Sequence, residues 1–174
     1  RKARGDMIVV RYADDFVIGF QHKWEADRFL NDLKERLAHF GLALHPDKTR
    51  LIEFGRFAKA NRKRRGQRKP ETFDFLGMTH FCDQSRKGRF RVGRKPSRKR
   101  VRRTLKRIKE EIWKRMHLGA HVVAKWLGRV INGWLNYYAV PGTARYLRAF
   151  VHRIRRPLLQ AMRRRSQKDR FEWS

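Results

Sequence analysis

Residues 7–20 read MIVVRYADDFVIGF, two runs of β-branched and aromatic residues separated only by Ala13-Asp14-Asp15. Runs of this composition around a short turn predict a tight β-hairpin. Downstream, apolar residues recur at helical spacing from Trp24 to Phe40, and Gly41 follows where a helix often ends in a glycine. The sequence therefore predicts a hairpin followed by an amphipathic helix.

Between this helix and residue 70, the sequence patterns that predict secondary structure are weaker. Residues 42–54 predict two short strands around the His45-Pro46-Asp47 turn. Residues 56–70 contain eight Lys or Arg and show no apolar periodicity, so we expect a loop. Hairpin, helix and further strands together give an α+β layout, in which the helix covers one face of a small antiparallel sheet.

The second half of the chain begins with another strand signal and then becomes helical. Residues 73–81 and 90–92 flank a polar turn and predict a second hairpin. Beyond Pro96, apolar stripes predict three helices, and Pro157 should kink or restart the third. The predicted organisation is α+β over residues 1–81, a connecting hairpin or linker over 82–96, and an all-α three-helix domain over 97–174.

The charge of the chain points to a polyanionic partner. The sequence has 46 Lys and Arg against 16 Asp and Glu, a formal net charge of +30, although 40% of its residues are hydrophobic. Such an excess destabilises a compact state by self-repulsion, which nucleic acid would relieve. A ribosomal-type structural protein and a membrane-surface binder are the alternatives. No apolar stretch approaches the roughly 20 residues of a membrane span, so no membrane partner is expected.

Cysteine and histidine offer no sign of a zinc site or a disulfide. Cys82 is the single cysteine, which excludes an internal disulfide and favours a reducing intracellular setting. His117 and His121 are four residues apart, but no third ligand completes a zinc pattern. We therefore expect no zinc site.

Asp14 and Asp15 form an adjacent acidic pair between two apolar strands. Aspartate favours turn geometry, so an ordinary turn is the simpler interpretation. Two neighbouring carboxylates repel each other, however, and a cation beside them relieves the repulsion. Oxygen ligands on a short, rigid turn suit Mg²⁺, which binds one or two carboxylates together with substrate phosphates. The pair therefore predicts a site for nucleotidyl transfer.

Four further sequence blocks narrow the choice of protein family. They read HPDKT at 45–49, FDFLGM at 73–78, NYYAVPG at 136–142 and RRRSQ at 163–167. Together with Tyr12-Ala13-Asp14-Asp15, these blocks resemble bacterial group II intron-encoded proteins over essentially the whole chain. The resemblance implies the C-terminal part of a reverse transcriptase palm, followed by the helical thumb that is specific to maturases.

The same resemblance assigns roles to residues. It makes Asp14 the stronger metal ligand, with Asp15 in the same acidic cluster, and it places Tyr12 and Ala13 near the primer terminus. Lys48 would protonate the departing pyrophosphate, although a solvated charge is the alternative. Phe75, Leu76 and Gly77 would lie in the segment that grips the primer, and this segment can also be an ordinary half-buried hairpin.

Two features of the family are missing from this sequence. Its first catalytic aspartate lies on an earlier palm strand, beside the fingers that bind template and nucleotide, and many members carry a DNA-binding region and an endonuclease beyond the thumb. We therefore expect this chain not to polymerise alone, and expect the missing N-terminal half of the reverse transcriptase as a partner. A cytoplasmic location of the bacterial type is also expected.

Three basic runs predict an RNA-binding surface through phosphate contacts. The candidate residues are Arg62, Lys63, Arg64, Arg65, Arg68, Lys69, Arg98, Lys99, Arg100, Arg102, Arg103, Arg163, Arg164 and Arg165. Trp126, Trp134, Tyr137 and Tyr138 have the chemistry to stack on bases, but their helical spacing favours core packing.

Two functions remain open from the sequence. The first is RNA-directed DNA synthesis with Mg²⁺, acting on an RNA template with a DNA primer and on a DNA target. The second is a non-catalytic maturase that stabilises folded group II intron RNA. An unrelated basic scaffold protein would leave the acidic turn between two strands unexplained.

Overall fold

A computed structural model of the chain describes residues 4–165, except for the side chain of Arg165. The Ser166-Gln167 end of the last basic block lies outside the described residues. Chain contacts divide the protein into two compact units, Arg1–Glu71 and Thr72–Ser174, here called unit 1 and unit 2. The structure is α+β, with small antiparallel sheets and five helices.

Unit 1 begins with the predicted hairpin and helix. Strands β1 (Met7–Tyr12) and β2 (Asp15–Phe20) pair antiparallel, from Met7 opposite Phe20 to Tyr12 opposite Asp15. Helix α1 (Lys23–Ala38) packs against β2, where the rings of Phe29 and Phe20 lie 5.3 Å apart. Both predictions are confirmed.

Gly41 ends α1 as its position predicted. Its φ of +67° is a conformation that glycine adopts without strain. The amide of Gly41 donates to the Ala38 carbonyl, and the next amide, that of Leu42, donates back to the Leu37 carbonyl at 2.9 Å. This pair of bonds is the Schellman arrangement, which satisfies carbonyls at the end of the helix.

The rest of unit 1 differs from the prediction. Residues 42–54 form no strand. The described strands of unit 1, β1 and β2, form backbone hydrogen bonds only with each other. The predicted loop at 56–70 contains helix α2 (Ala58–Arg64). Alanine, lysine and arginine are strong helix formers, so a helix could form there without an apolar stripe.

Unit 2 starts with a three-stranded antiparallel sheet in the order β3-β4-β5. The strands are β3 (Phe73–Phe75), β4 (Met78–Gln84) and β5 (Phe90–Pro96). The predicted second hairpin is present as β4 and β5, but residues 73–81 also fold back on themselves around Leu76-Gly77. Gly93 lies beneath the Phe81 ring, where an added Cβ would be 2.4 Å from a ring carbon.

Three helices follow the sheet, as predicted: α3 (Arg98–Lys114), α4 (Ala120–Tyr138) and α5 (Ala144–Arg165). Helix α5 continues through Pro157, so the helix does not restart there. The buried core joins the sheet to all three helices. It comprises Met78, Ile108, Ile112, Leu127, Trp134, Tyr138, Phe150, Ile154 and Ala161.

The two units do not follow the predicted domain limits. Residues 82–96, expected to be a connecting hairpin or linker, contain the end of β4, the turn after it and β5, and they group with the helices in unit 2. The predicted limits follow the segments of the resembled family and stay a prediction. Among the described helices, none combines the length and the hydropathy needed to cross a membrane.

Candidate metal and nucleic-acid site

The acidic pair lies at the tip of the first hairpin. Tyr12 and Asp15 are the last paired residues, so Ala13 and Asp14 form a two-residue loop. Ala13 has a φ of +53°, which costs an L-residue about 1–2 kcal/mol. The Arg11 Nε donates to the Ala13 carbonyl at 2.9 Å and holds this strained turn. The turn leaves both Asp14 and Asp15 exposed to solvent.

The two carboxylates fit part of a magnesium site. They are oxygen donors on a short turn, and Mg²⁺ takes one or two such ligands in addition to phosphates and water. Among residues 4–165, no group of three or more side chains of His, Cys, Asp or Glu could hold a metal ion. Asp14 and Asp15 can therefore supply two ligands, and the described residues contribute no third.

Lys48, the predicted proton donor, lies in an exposed turn after α1. Its amide donates to the His45 carbonyl at 3.2 Å, which shapes the turn. No hydrogen bond or ion pair between described side chains joins Lys48 to Asp14 or Asp15. Its assignment to pyrophosphate departure stays a prediction.

The strand that leads into the acidic turn is unusually exposed. In β1 the exposed fractions are 68% for Ile8 and 55% for Val9, and Tyr12 is 64% exposed. Phe16, just beyond the turn, is 45% exposed. Apolar patches of this kind mark contact surfaces for another protein segment or a ligand. The turn thus follows a strand, β1, whose large apolar side chains are exposed.

The other predicted contact segment is the turn between β3 and β4. Phe75 pairs with Met78, so Leu76 and Gly77 are the two central residues, with φ of +48° and +75°. Positive φ at both positions is typical of a type I′ turn, which favours Asn, Asp or Gly. The Tyr137 hydroxyl donates to the Leu76 carbonyl at 2.8 Å, and the Ser97 amide donates to the Gly77 carbonyl at 2.9 Å.

The basic residues of unit 1 divide into paired and exposed groups. Arg62 lies 3.5 Å from Glu71, and its side chain is only 19% exposed. Arg65 pairs with Glu53, and a hydrogen bond from Asn61 together with this guanidinium lowers the pKa of Glu53. Lys63, Arg64, Arg68 and Lys69 are also exposed or half-exposed. Arg62 and Arg65 therefore have structural roles in addition to the predicted RNA contacts.

The basic residues of α3 surround a cavity of about 530 Å³ next to the sheet. Arg98, Lys99 and Arg102 line it together with Lys95, which was not among the predicted residues. On the same surface, Asp74 accepts hydrogen bonds from the Thr79 hydroxyl at 2.5 Å and the Ser97 hydroxyl at 3.0 Å. Four cations around one carboxylate leave this cavity strongly positive.

The remaining predicted arginines lie on the helices of unit 2. Arg100 lies against the β3–β4 turn, since a Cβ on Gly77 would be 2.9 Å from its Cζ. Arg103 and Arg163 are exposed, and the Arg164 guanidinium lies 4.8 Å from the centre of the Trp113 ring. Of Arg165 only the backbone, at the end of α5, is described.

The four aromatic residues expected in the core behave differently from one another. Trp134 and Tyr138 are buried, and burial raises the pKa of Tyr138. Trp126 is half-buried beneath the Arg115 guanidinium, which lies 4.6 Å from its ring centre. Tyr137 is 53% exposed, so the core prediction is wrong for this residue. Its hydroxyl bonds to the carbonyl of the distant Leu76, a contact that no local sequence pattern signals.

Comparisons with known families agree with this arrangement. The family of reverse transcriptases (RNA-dependent DNA polymerases) matches residues 1–80. The maturase-specific domain of group II introns matches residues 98–174. No curated protein matches the chain. The two families lie in the order expected for an intron-encoded enzyme, with the acidic turn in the first and the helices of unit 2 in the second. The chain belongs to the group II intron reverse transcriptase/maturase family.

Proposed function

We propose that this chain carries the two-carboxylate turn and the nucleic-acid-binding helices of an RNA-directed DNA polymerase that serves a group II intron. The observation that carries the proposal is the position of Asp14 and Asp15, exposed at the tip of a strained two-residue turn within the region matched by reverse transcriptases. Strained backbone at an exposed turn is a feature of functional sites.

Asp14 and Asp15 would hold Mg²⁺ in this proposal. The bound ion would neutralise negative charge on the phosphates and help to activate the attacking hydroxyl. The protein contributes a turn that keeps both carboxylates outward, fixed by the bond from Arg11 to Ala13. Lys48 is proposed as a proton donor to the leaving group, on the family resemblance alone.

The proposal includes a partner segment that completes the site. Only two ligands come from the described residues, and β1 exposes its apolar side chains. A further palm segment with its own carboxylate would supply the missing ligand and cover this hairpin. The chain alone is accordingly expected to bind nucleic acid without extending a primer.

The proposed nucleic-acid partners are intron RNA, an RNA template with a DNA primer, and target DNA. The charge of +30 and the positive cavity beside α3 support contacts with phosphates. Such contacts read little sequence, so affinity should fall steeply as salt increases.

The test uses a polymerase assembled from this chain and the proposed palm segment. Asp14→Asn removes one ligand charge while keeping the side-chain shape, so primer extension on an RNA template should fall at least about a thousandfold. RNA affinity should stay within about twofold, since phosphate contacts lie elsewhere. Asp32→Asn, at an exposed acid on α1, is the matched control and should retain full extension. Unchanged extension by Asp14→Asn would exclude the metal assignment.

A second candidate, a non-catalytic maturase, is supported by the concentration of the buried core in unit 2. On this proposal the helices clamp folded intron RNA, and the acidic turn has no catalytic task. Splicing assays with Asp14→Asn separate the two candidates. If Asp14→Asn abolishes primer extension while the protein still supports splicing, one protein has both activities. If the substitution leaves primer extension unaffected, only the maturase candidate stands.

A further inference from the structure

A second cavity, of about 480 Å³, lies between α3 and α5 and has no part in the sites described above. It is here called the α3–α5 cavity. Its apolar lining consists of Leu105, Ile108, Ile154 and Pro157. Ile108 and Ile154 belong to the buried core of unit 2, so the cavity borders that core. Cavities of this size with a largely apolar lining are typical of sites for a small ligand or for one group of a larger partner.

Four basic side chains also line the α3–α5 cavity. They are Lys106, Lys109, Arg153 and Arg156, all of them exposed, and none is among the candidate RNA-binding residues of the sequence. Lys106 lies 3.9 Å from Glu110, whereas the other three form no ion pair with a described acid. Cations that are left without partners favour an anionic ligand, and phosphate groups are the anions that a strongly basic chain attracts.

Pro157 adds a polar group that a regular helix would not offer. The amide of residue 157 would normally donate to the carbonyl of Arg153, one turn earlier, but proline has no amide. The Arg153 carbonyl therefore lacks the donor that an unbroken helix supplies. Gln160, which also lines the cavity, is exposed and has an amide that can both donate and accept.

The proline itself has no evident role in folding. A proline inside a helix destabilises it, and α5 nevertheless continues through Pro157 to Arg165. Pro157 thus neither ends the helix nor improves it. What it contributes is an apolar ring in the cavity and a free carbonyl beside it.

We propose that the α3–α5 cavity binds one unpaired nucleobase of a folded RNA. The face of the base packs on Leu105 and Pro157, and its edge bonds to the Arg153 carbonyl and the Gln160 amide. The cations hold the phosphates on either side of the base. The proposal rests on the proposed function, because it presumes that the chain binds RNA. It adds recognition of an unpaired base to the phosphate contacts.

The chemistry of the cavity favours a nucleobase over an acidic peptide. Both would match the positive charge and the apolar lining. A base, however, carries N–H donors on its edge, which the Arg153 carbonyl can accept, whereas ionised carboxylates and apolar side chains have none. Bases project from the loops and bulges of folded RNA but stay stacked inside a paired helix. The ligand is therefore expected to contain an unpaired nucleotide.

The test compares RNA hairpins that differ in a single nucleotide. One fluorescent hairpin is fully paired, and four otherwise identical hairpins each contain one bulged nucleotide, A, C, G or U. Anisotropy at a fixed salt concentration gives their affinities for the intact chain, so that phosphate contacts are held equal. At least one bulged hairpin should bind about threefold to tenfold more tightly than the paired hairpin.

Gln160→Met keeps the length of the side chain and removes its amide. The preference for the bulged hairpin should fall to within about twofold, while affinity for the paired hairpin and the Tm stay unchanged. Gln84→Met, at the exposed end of β4 and outside the cavity, is the matched control and should retain the full preference.

Pro157→Ala supplies the missing amide to the Arg153 carbonyl. Because alanine favours a helix, the Tm should stay the same or rise. The preference for the bulged hairpin should nevertheless fall to within about twofold, since the carbonyl is now occupied and the proline ring is gone. A proline that serves packing alone would instead give a lower Tm on substitution.

The outcomes separate the inference from the proposed function. Equal affinity of the wild type for all five hairpins, or a preference that survives both substitutions, would overturn the nucleobase site, and RNA binding would stand. A lower Tm for Pro157→Ala would overturn the role of the Arg153 carbonyl. Binding of a peptide of alternating Glu and Leu to the wild type but not to Gln160→Met, without any hairpin preference, would overturn the RNA occupant. A wild-type chain that binds no hairpin would overturn the proposed function together with the inference.

Discussion

The two units differ sharply in what they bury. Unit 2 has a continuous core in which Ile108, Ile112 and Phe150 are at most 2% exposed. In the described part of unit 1, only Glu25 and Ala58 are buried. Glu25 is ionisable, and it accepts hydrogen bonds from the amides of Arg4 and Gly5. Unit 2 therefore contains a fully buried hydrophobic core, whereas the large apolar side chains in the described part of unit 1 are half-buried or exposed.

This difference is also seen in the exposure of the large apolar side chains. In unit 1 the large apolar side chains of β1, from Met7 to Val10, are all at least 47% exposed. Helix α1 packs against β2, but the β1 side chains stay exposed, and a two-stranded hairpin is marginally stable in water without further cover. The comparison predicts that unit 1 is less stable on its own than unit 2.

The largest expected effect comes from separating the units. A fragment of residues 72–174 should unfold cooperatively in urea, because its core lies within the fragment. A fragment of residues 1–71 should show no cooperative transition. Far-UV circular dichroism measures both. A cooperative transition in the 1–71 fragment would contradict the comparison.

Substitutions in the core of unit 2 and in the first hairpin should differ by several kcal/mol in their effect on the unfolding free energy. Phe150 is 2% exposed and stacks on Trp134 with ring centres 3.5 Å apart, so Phe150→Ala should lower the unfolding free energy by about 3–5 kcal/mol. Ile8→Ala, at a residue 68% exposed, should change it by less than about 0.5 kcal/mol. Urea denaturation of the intact chain measures both values. Equal losses would mean that the hairpin has a core of its own.

The smallest expected effect is a pH response of the sheet in unit 2. Burial lowers the pKa of His80 below its ordinary value of 6.5, and its ring stacks on Phe73. The unfolded chain therefore takes up a proton before the folded chain does. Stability should be full above pH 6.5 and fall as the pH drops below it.

His80→Phe keeps an aromatic ring against Phe73 and removes the titration. Its thermal midpoint, measured between pH 7 and 5, should fall less than that of the wild type. His152→Phe, at an exposed histidine on α5, is the control and should follow the wild type. An identical pH response in all three proteins would exclude His80 as the source.

Local patterns in the sequence predicted much of the fold. The first hairpin, α1 with Gly41, and the three helices of unit 2 each arise from periodicity or turn residues that lie within one segment. The missed helix α2 is different. Arg62 and Arg65 are paired with Glu71 and Glu53, which lie in other segments, and such pairs leave no periodic signal.

The candidate site was predictable to a similar extent. Asp14 and Asp15 occur at a hairpin tip as expected, because the turn is defined by the two strands beside it. Their metal-binding role and that of Lys48 stay predictions. The bond between Tyr137 and Leu76 was not predictable, since it joins residues 61 positions apart. Only folding shows that an aromatic residue in a helical stripe faces a strained turn.

The start of α3 has a consequence for how much of the protein persists in a cell. The Ser97 hydroxyl donates to Asp74, and no side chain caps α3. The first turn of α3 contains no acidic residue. The cations there repel one another until an anion binds. A ligand that binds only the folded state raises stability with the logarithm of its concentration. Under the proposed function the folded population would follow the supply of RNA, and chains made in excess of RNA would be the first to unfold and be degraded.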